Sequence, residues 1–123
     1  MEIKYESLAK WKYRLTDSLT LKTSIRGIAC KTEYITLWDD GRLILKKGYA
    51  WNGATFCPDT KEIMRGSAGH DALYQLLSIG AIPKQKRLNA DSDLYRWCKE
   101  DGMAEVLANA VLSAVRQFGI LFS

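Results

Sequence analysis

The chain holds a single histidine, His70, in the stretch Gly66-Ser-Ala-Gly-His70-Asp71-Ala-Leu-Tyr74, directly before an aspartate and four residues before a tyrosine. Imidazole exchanges protons near neutral pH, so it is the side chain best suited to general-base work, provided an acidic partner fixes its tautomer. Asp71 cannot be that partner, because adjacent helical positions point about 100° apart. Asp91 is the better candidate. It falls in the stripe Leu88, Asp91, Tyr95 and Cys98, spaced by three or four residues, and a carboxylate is seldom buried there without a partner. If Gly80–Pro83 reverses the chain into an antiparallel helix pair, His70 lies eleven residues before Ala81 and Asp91 ten after it. The two are then expected to face each other, with Tyr74, one helical turn from His70, beside them.

Asp71 suggests different chemistry. A carboxylate beside a loop of exposed carbonyls could hold a hard cation such as Ca2+, and Trp51-Asn52-Gly53-Ala54-Thr55 is the candidate loop, with Gly53 permitting the required backbone. The metal set is therefore expected to be Asp71 with Asn52, Gly53 and Ala54. Without chemistry, the same residues read as a satisfied polar network between helices and an ordinary Asn-Gly turn.

These residues need a scaffold. The first half alternates large and polar side chains in Trp11–Thr16 and Leu19–Ile25, with Asp17-Ser18 as a tight turn between them. Tyr34–Trp38 and Arg42–Leu45 form a hairpin around Asp39-Asp40-Gly41. From Asp59 the pattern turns helical. Asp59 or Thr60 is expected to cap a helix running to Ser78, Pro83 opens a second, and Gly102 ends it. A third is expected to bury Met103, Val106, Leu107, Ala110, Val111, Ala114, Val115 and Phe118 on one face. The expected fold is α+β in a single domain spanning 1–123: small antiparallel hairpins over 1–58, then three helices over 59–119, two of them an antiparallel pair.

Composition narrows the function classes. The 123 residues carry a net charge of +4 with scattered basic residues and no long basic run, so no nucleic-acid partner is expected. Cys30, Cys57 and Cys98 are an odd number with no C-x-x-C pair, pointing to reduced thiols rather than a disulfide framework or zinc site. The N-terminal Met-Glu-Ile-Lys-Tyr-Glu does not fit a signal peptide, and the apolar stretch Val106–Val115 is too short to span a bilayer.

Four ordered blocks carry a family resemblance: Gly48-Tyr-x-Trp-Asn-Gly-Ala-Thr-x-x-Pro58, His70-Asp-x-Leu-Tyr74, Arg87-x-x-Ala-Asp91 and Val115-Arg-x-Phe-Gly119. This pattern resembles a family of short, uncharacterised phage and prophage proteins. That resemblance implies a viral origin, a place in the host cytoplasm or virion, and a phage or host protein as partner. The His-Asp-x-x-Tyr motif, followed by an aspartate on an antiparallel helix, is also similar to the catalytic layout of secretory phospholipase A2. By that resemblance His70 activates a water, Asp71 binds calcium, Asp91 and Tyr74 orient the histidine, and the substrate is a phospholipid or other ester. The chain departs from that family in lacking its flanking cysteines and its Gly-rich calcium-loop sequence. Trp51 and Phe56 are expected at the mouth of an acyl groove. The residues slightly favour a phage accessory or virion-associated module in which this cluster is a non-catalytic polar network, with Trp11, Trp38 and Trp51 exposed for a protein partner; calcium-dependent ester hydrolysis with His70 as general base is the alternative.

Overall fold

The computed structural model describes residues 2–8, 12–54 and 58–120. Trp11, Phe56 and Cys57 lie outside the described residues. Two antiparallel sheets occupy the N-terminal half. One contains β1 (Tyr5–Leu8), β2 (Lys12–Leu15) and β7 (Ala50–Trp51); the other contains β3 (Leu19–Lys22), β4 (Cys30–Lys31), β5 (Ile35–Leu37) and β6 (Arg42–Leu45), ordered β3-β6-β5-β4. Alternation explains the second sheet: Leu19 and Leu21 of β3 turn inward opposite Leu45 and Leu43 of β6, while Thr20 and Lys22 face out. The β5–β6 hairpin forms where expected, with Gly41 at φ +98°. The expected hairpin across Asp17-Ser18 does not form. Those residues turn a corner between the two sheets, because β2 pairs with β1 and β7 whereas β3 pairs with β6.

Three helices follow: α1 (Met64–Ser78), α2 (Arg87–Glu100) after a 3-10 turn at Lys84–Lys86, and α3 (Glu105–Ile120). α1 starts later than the capping residues suggested. Its N-cap is Ile63, without a side-chain cap, and Asp59 is instead engaged by Tyr13 and the Ala54 amide. From Met64 to Tyr74 every α1 residue except Asp71 is buried. α1 is thus the central element, packed between the β3–β6 sheet and α2. Gly69 permits this contact: a Cβ there would stand 2.7 Å from Trp97 Cζ3 and 3.0 Å from Leu21 Cδ2.

The third helix turns a different face inward than its apolar pattern suggested. Ala108, Val111 and Val115 are buried with Met103 against Ile63, Leu94 and Cys98, while Val106 and Leu107 are exposed. Apolar residues occur around much of this helix, so periodicity alone allows more than one buried face. Among the described residues no helix is long and apolar enough to cross a membrane.

Candidate functional site

The α1–α2 turn brings the expected pair together. Gly80, at φ +75°, reverses the chain, with the Gly80 and Ala81 amides closing on the Leu77 and Leu76 carbonyls. His70 Nε2 then lies 2.8 Å from Asp91 Oδ1, and the Tyr74 hydroxyl donates to the same oxygen at 2.7 Å. A carboxylate has only acceptors to offer, so the proton on this side of the imidazole sits on Nε2. The His70 and Tyr74 rings also pack together, with centroids 4.2 Å apart. Burial of the Tyr74 phenol, with the Asp91 carboxylate beside it, pushes its pKa upward, so the hydroxyl remains a donor.

The arrangement is well enclosed. His70 is 4 % exposed and Asp91 fully buried. Asp91 Oδ2 points toward two guanidinium groups, Arg87 Nη1 at 3.9 Å and Arg116 Nε at 3.8 Å. Arg116 comes from α3 and also donates to Ser92 Oγ at 2.9 Å and the Leu88 carbonyl at 3.3 Å. One buried carboxylate therefore draws in side chains from all three helices. The stripe that pointed to Asp91 was only partly right: Leu88 is exposed, and the buried face of α2 is Ala90, Asp91, Asp93, Leu94, Trp97 and Cys98.

Asp71, turned about 100° from His70 around α1, is only partly buried and lies beside the loop at Asn52. Burial, opposed by a hydrogen bond from the Asn52 backbone and reinforced by repulsion from Asp59, raises its carboxyl to about 7. Asp59 reaches the same loop from another direction: Oδ1 accepts from the Ala54 amide at 2.8 Å and Oδ2 from the Tyr13 hydroxyl at 2.8 Å. Gly53 sits between at φ +78°, and a Cβ there would stand 2.6 Å from Asp59 Oδ2. The loop thus meets the two carboxylates with its Asn52 and Ala54 N–H groups. Nearby, the Tyr49 hydroxyl is buried without a hydrogen-bond partner among the described residues, and burial together with the Asp71 charge drives its pKa up.

No family model matches the chain, nor does any curated protein or solved structure. Geometry must therefore carry the chemistry. His70, Asp91 and Tyr74 form one hydrogen-bonded unit, while Asp71 and the Asn52–Ala54 loop form a second on an adjoining face of α1. Trp51, expected at a groove mouth or a partner surface, is instead 4 % exposed and donates from Nε1 to Ser67 Oγ at 3.0 Å. It packs with Tyr13 and Tyr49.

Several members of these clusters escaped the sequence reading. In the sequence Asp59 has the look of a helix cap, and Tyr49 stands out only by its place before the loop. Arg116 falls in the Val115–Gly119 block, where no local spacing gives it a partner. Asp93, a second buried carboxylate on α2, accepts from the Ser24 amide at 2.9 Å and its hydroxyl at 3.2 Å. Ser24 is remote in sequence, and the one local sign of Asp93 is Arg96, a helical turn on and 3.2 Å away.

Proposed function

We propose that the chain is a small phage-encoded ester hydrolase, phospholipase A2-like in the layout of its helix pair, with His70 as general base. The observation that carries this reading is the convergence of His70 Nε2 and the Tyr74 hydroxyl on one oxygen of buried Asp91. In this reading Asp91 holds the proton on Nε2 and so fixes the tautomer of the imidazole that takes the proton from the attacking water. Asp91 then faces the imidazolium and stabilises it, while Tyr74 holds the carboxylate in place. A hard cation suits the neighbouring cluster, because a carboxyl raised to about 7 by burial and by a second carboxylate is relieved by positive charge. Asp71 would hold it, and any share taken by Asn52, Gly53 and Ala54 would come through their carbonyls. When bound, calcium supplies Lewis-acid polarisation of the ester carbonyl. The proposed substrate is a phospholipid or related ester met in the host cytoplasm or at the virion.

A specific observation favours a second reading. His70 and Asp91 are almost wholly enclosed, with Arg87 and Arg116 closing the far side of the carboxylate. Such a network also serves a non-catalytic phage accessory protein, in which the polar cluster fixes how three helices meet. Fatty-acid release from phospholipid and short-chain ester substrates, measured with calcium and with chelator, separates the two. The hydrolase reading expects calcium-dependent turnover that falls at least about 100-fold in His70→Gln. A folded wild-type protein that releases nothing from any of these substrates overturns it and leaves the scaffold reading, which expects recovery of the chain with virions.

A further inference from the structure

The inward side of the four-stranded sheet packs on α1, and its outward side meets solvent. The β5–β6 ladder continues one residue past each end of β5: the Trp38 amide donates to the Arg42 carbonyl and the Lys46 amide to the Tyr34 carbonyl, both at 2.9 Å. Alternation therefore turns Tyr34, Thr36 and Trp38 outward together. Trp38 is 45 % exposed and Tyr34 40 %, whereas Trp51 and Trp97 are buried. Neither outward ring serves the core, yet both are held. The Arg42 guanidinium lies 5.3 Å from the Trp38 ring centroid, and the Tyr34 ring rests against Gly48, where a Cβ would stand 3.3 Å from its Cε1. Along the strand the two rings stand about 13 Å apart, with Thr36 and Ile44 between them.

Charge on this face is unevenly placed. The carboxylates Asp17, Glu33, Asp39 and Asp40 all lie in the connections at its rim, and the outward ladder positions of β3, β4, β5 and β6 hold no acid. Arg42 is paired with Asp40, which also feels Lys22, so the Trp38 end offers no spare cation. The Tyr34 end differs. Lys46 stands opposite Tyr34 and Lys31 opposite Thr36; both are exposed, and neither forms an ion pair among the described residues. Two ammonium groups are thus left to meet an anion beside Tyr34. Strand register gathers lysines that are scattered along the chain, which is why composition alone gives no sign of them.

We propose that this face binds a single strand of nucleic acid, with bases stacked on Trp38 and Tyr34 and phosphates on Lys31 and Lys46. Unpaired bases present the flat faces on which exposed aromatic rings stack, and the strand's phosphates call for cations beside those rings. A duplex hides its bases and would meet only the two lysines. A bilayer is a poorer match, because Ile44 is the one aliphatic side chain at the outward ladder positions and is itself half-buried. The face lies across the sheet from α1, so it is independent of His70 and of any ester hydrolysis.

Fluorescence anisotropy of a labelled thymidylate oligonucleotide of about 12 nucleotides, titrated with the full chain at about 20 to 200 mM salt, tests the face. Affinity is expected to fall with salt. In Lys31→Gln/Lys46→Gln the slope of log K against log salt should flatten by about 1.4, about 0.7 for each phosphate released. Trp38→Ala and Tyr34→Ala should each weaken binding at least about fivefold at unchanged Tm, since both rings are exposed. The lysine variant removes no packed group and keeps the test independent of the fold. A duplex of the same length should bind more weakly. No binding at the lowest salt, equal binding of the duplex, or affinity untouched by both the ring and the lysine variants overturns the proposal. Retention on phosphatidylglycerol vesicles without binding to the oligonucleotide overturns it as well.

Discussion

Asp71→Asn isolates the electrostatic cost stored beside the Asn52 loop. The Asp71 carboxyl moves from an ordinary 3.8 to about 7 in the folded protein, chiefly through burial. The folded state therefore holds its proton more tightly than the unfolded state. The corresponding stability is fully present in acid, declines as pH rises from about 4 to about 7, and is lost above that. Each pKa unit corresponds to about 1.4 kcal/mol, giving an upper bound of about 4 kcal/mol. Partial solvent access at Asp71 screens the charge and brings the expected value to about 1–3 kcal/mol. Asparagine keeps an oxygen to accept the Asn52 amide but never ionises.

Urea unfolding in chelator at pH 4 and pH 8 measures this directly. The variant should match the parent at pH 4 and exceed it by about 1–3 kcal/mol at pH 8. Calcium at pH 8 should then stabilise the parent and leave the variant unmoved, since ligand that binds only the folded state adds to its stability. A variant less stable than the parent by the same amount at both pH values would refute the reasoning, because the carboxylate would then contribute only contacts.

Three further substitutions probe neighbouring features. Asp91→Asn should cost about 2–4 kcal/mol, since it removes the charge that His70, Tyr74, Arg87 and Arg116 share; a loss under about 1 kcal/mol in urea unfolding would show that the four are not coupled through it. Tyr49→Phe removes a buried hydroxyl without a described partner and should leave stability unchanged or raise it by about 1 kcal/mol, whereas a loss of 2 kcal/mol would mean the hydroxyl is bonded. Gly69→Ala places a methyl against Trp97 and Leu21; the expected result is a fall in Tm worth about 1–3 kcal/mol despite alanine's better helix propensity, and a rise in Tm would contradict the packing.

The meeting of His70 with Asp91 was legible because both ends of the argument were local. Periodicity placed each residue on its helix, and Gly80–Pro83 fixed the turn between them. The inward face of α3 was not legible in the same way. Val106 and Leu107 are as apolar as Val111 and Val115, and the choice between faces belongs to α2, which presents Leu94 and Cys98. The same limit hid Asp59, Asp93 and Tyr49, whose positions follow from how strands distant in sequence lie against the helices. The corner at Asp17-Ser18 is instructive too. Two alternating segments joined by a turn suggest a hairpin, yet β2 finds better partners in the aromatic rows of β1 and β7, where Tyr5, Tyr13 and Trp51 pack together.

The glycines of α1 tie these observations to the site. In isolation each costs helix stability relative to alanine. In the fold, a Cβ on Gly66 would stand 3.0 Å from Leu94 Cδ1, and one on Gly69 would strike the Trp97 ring. Their missing side chains let α2 approach α1 closely along the face that precedes His70. Without that approach the helix axes would separate, and the 2.8 Å contact between imidazole and carboxylate would lengthen beyond hydrogen-bonding range. The motif Gly66-Ser-Ala-Gly69-His70-Asp71 thus carries the spacing of the helix pair as well as its reactive groups, so a variant that alters either glycine should disturb the His70 network before it unfolds the chain.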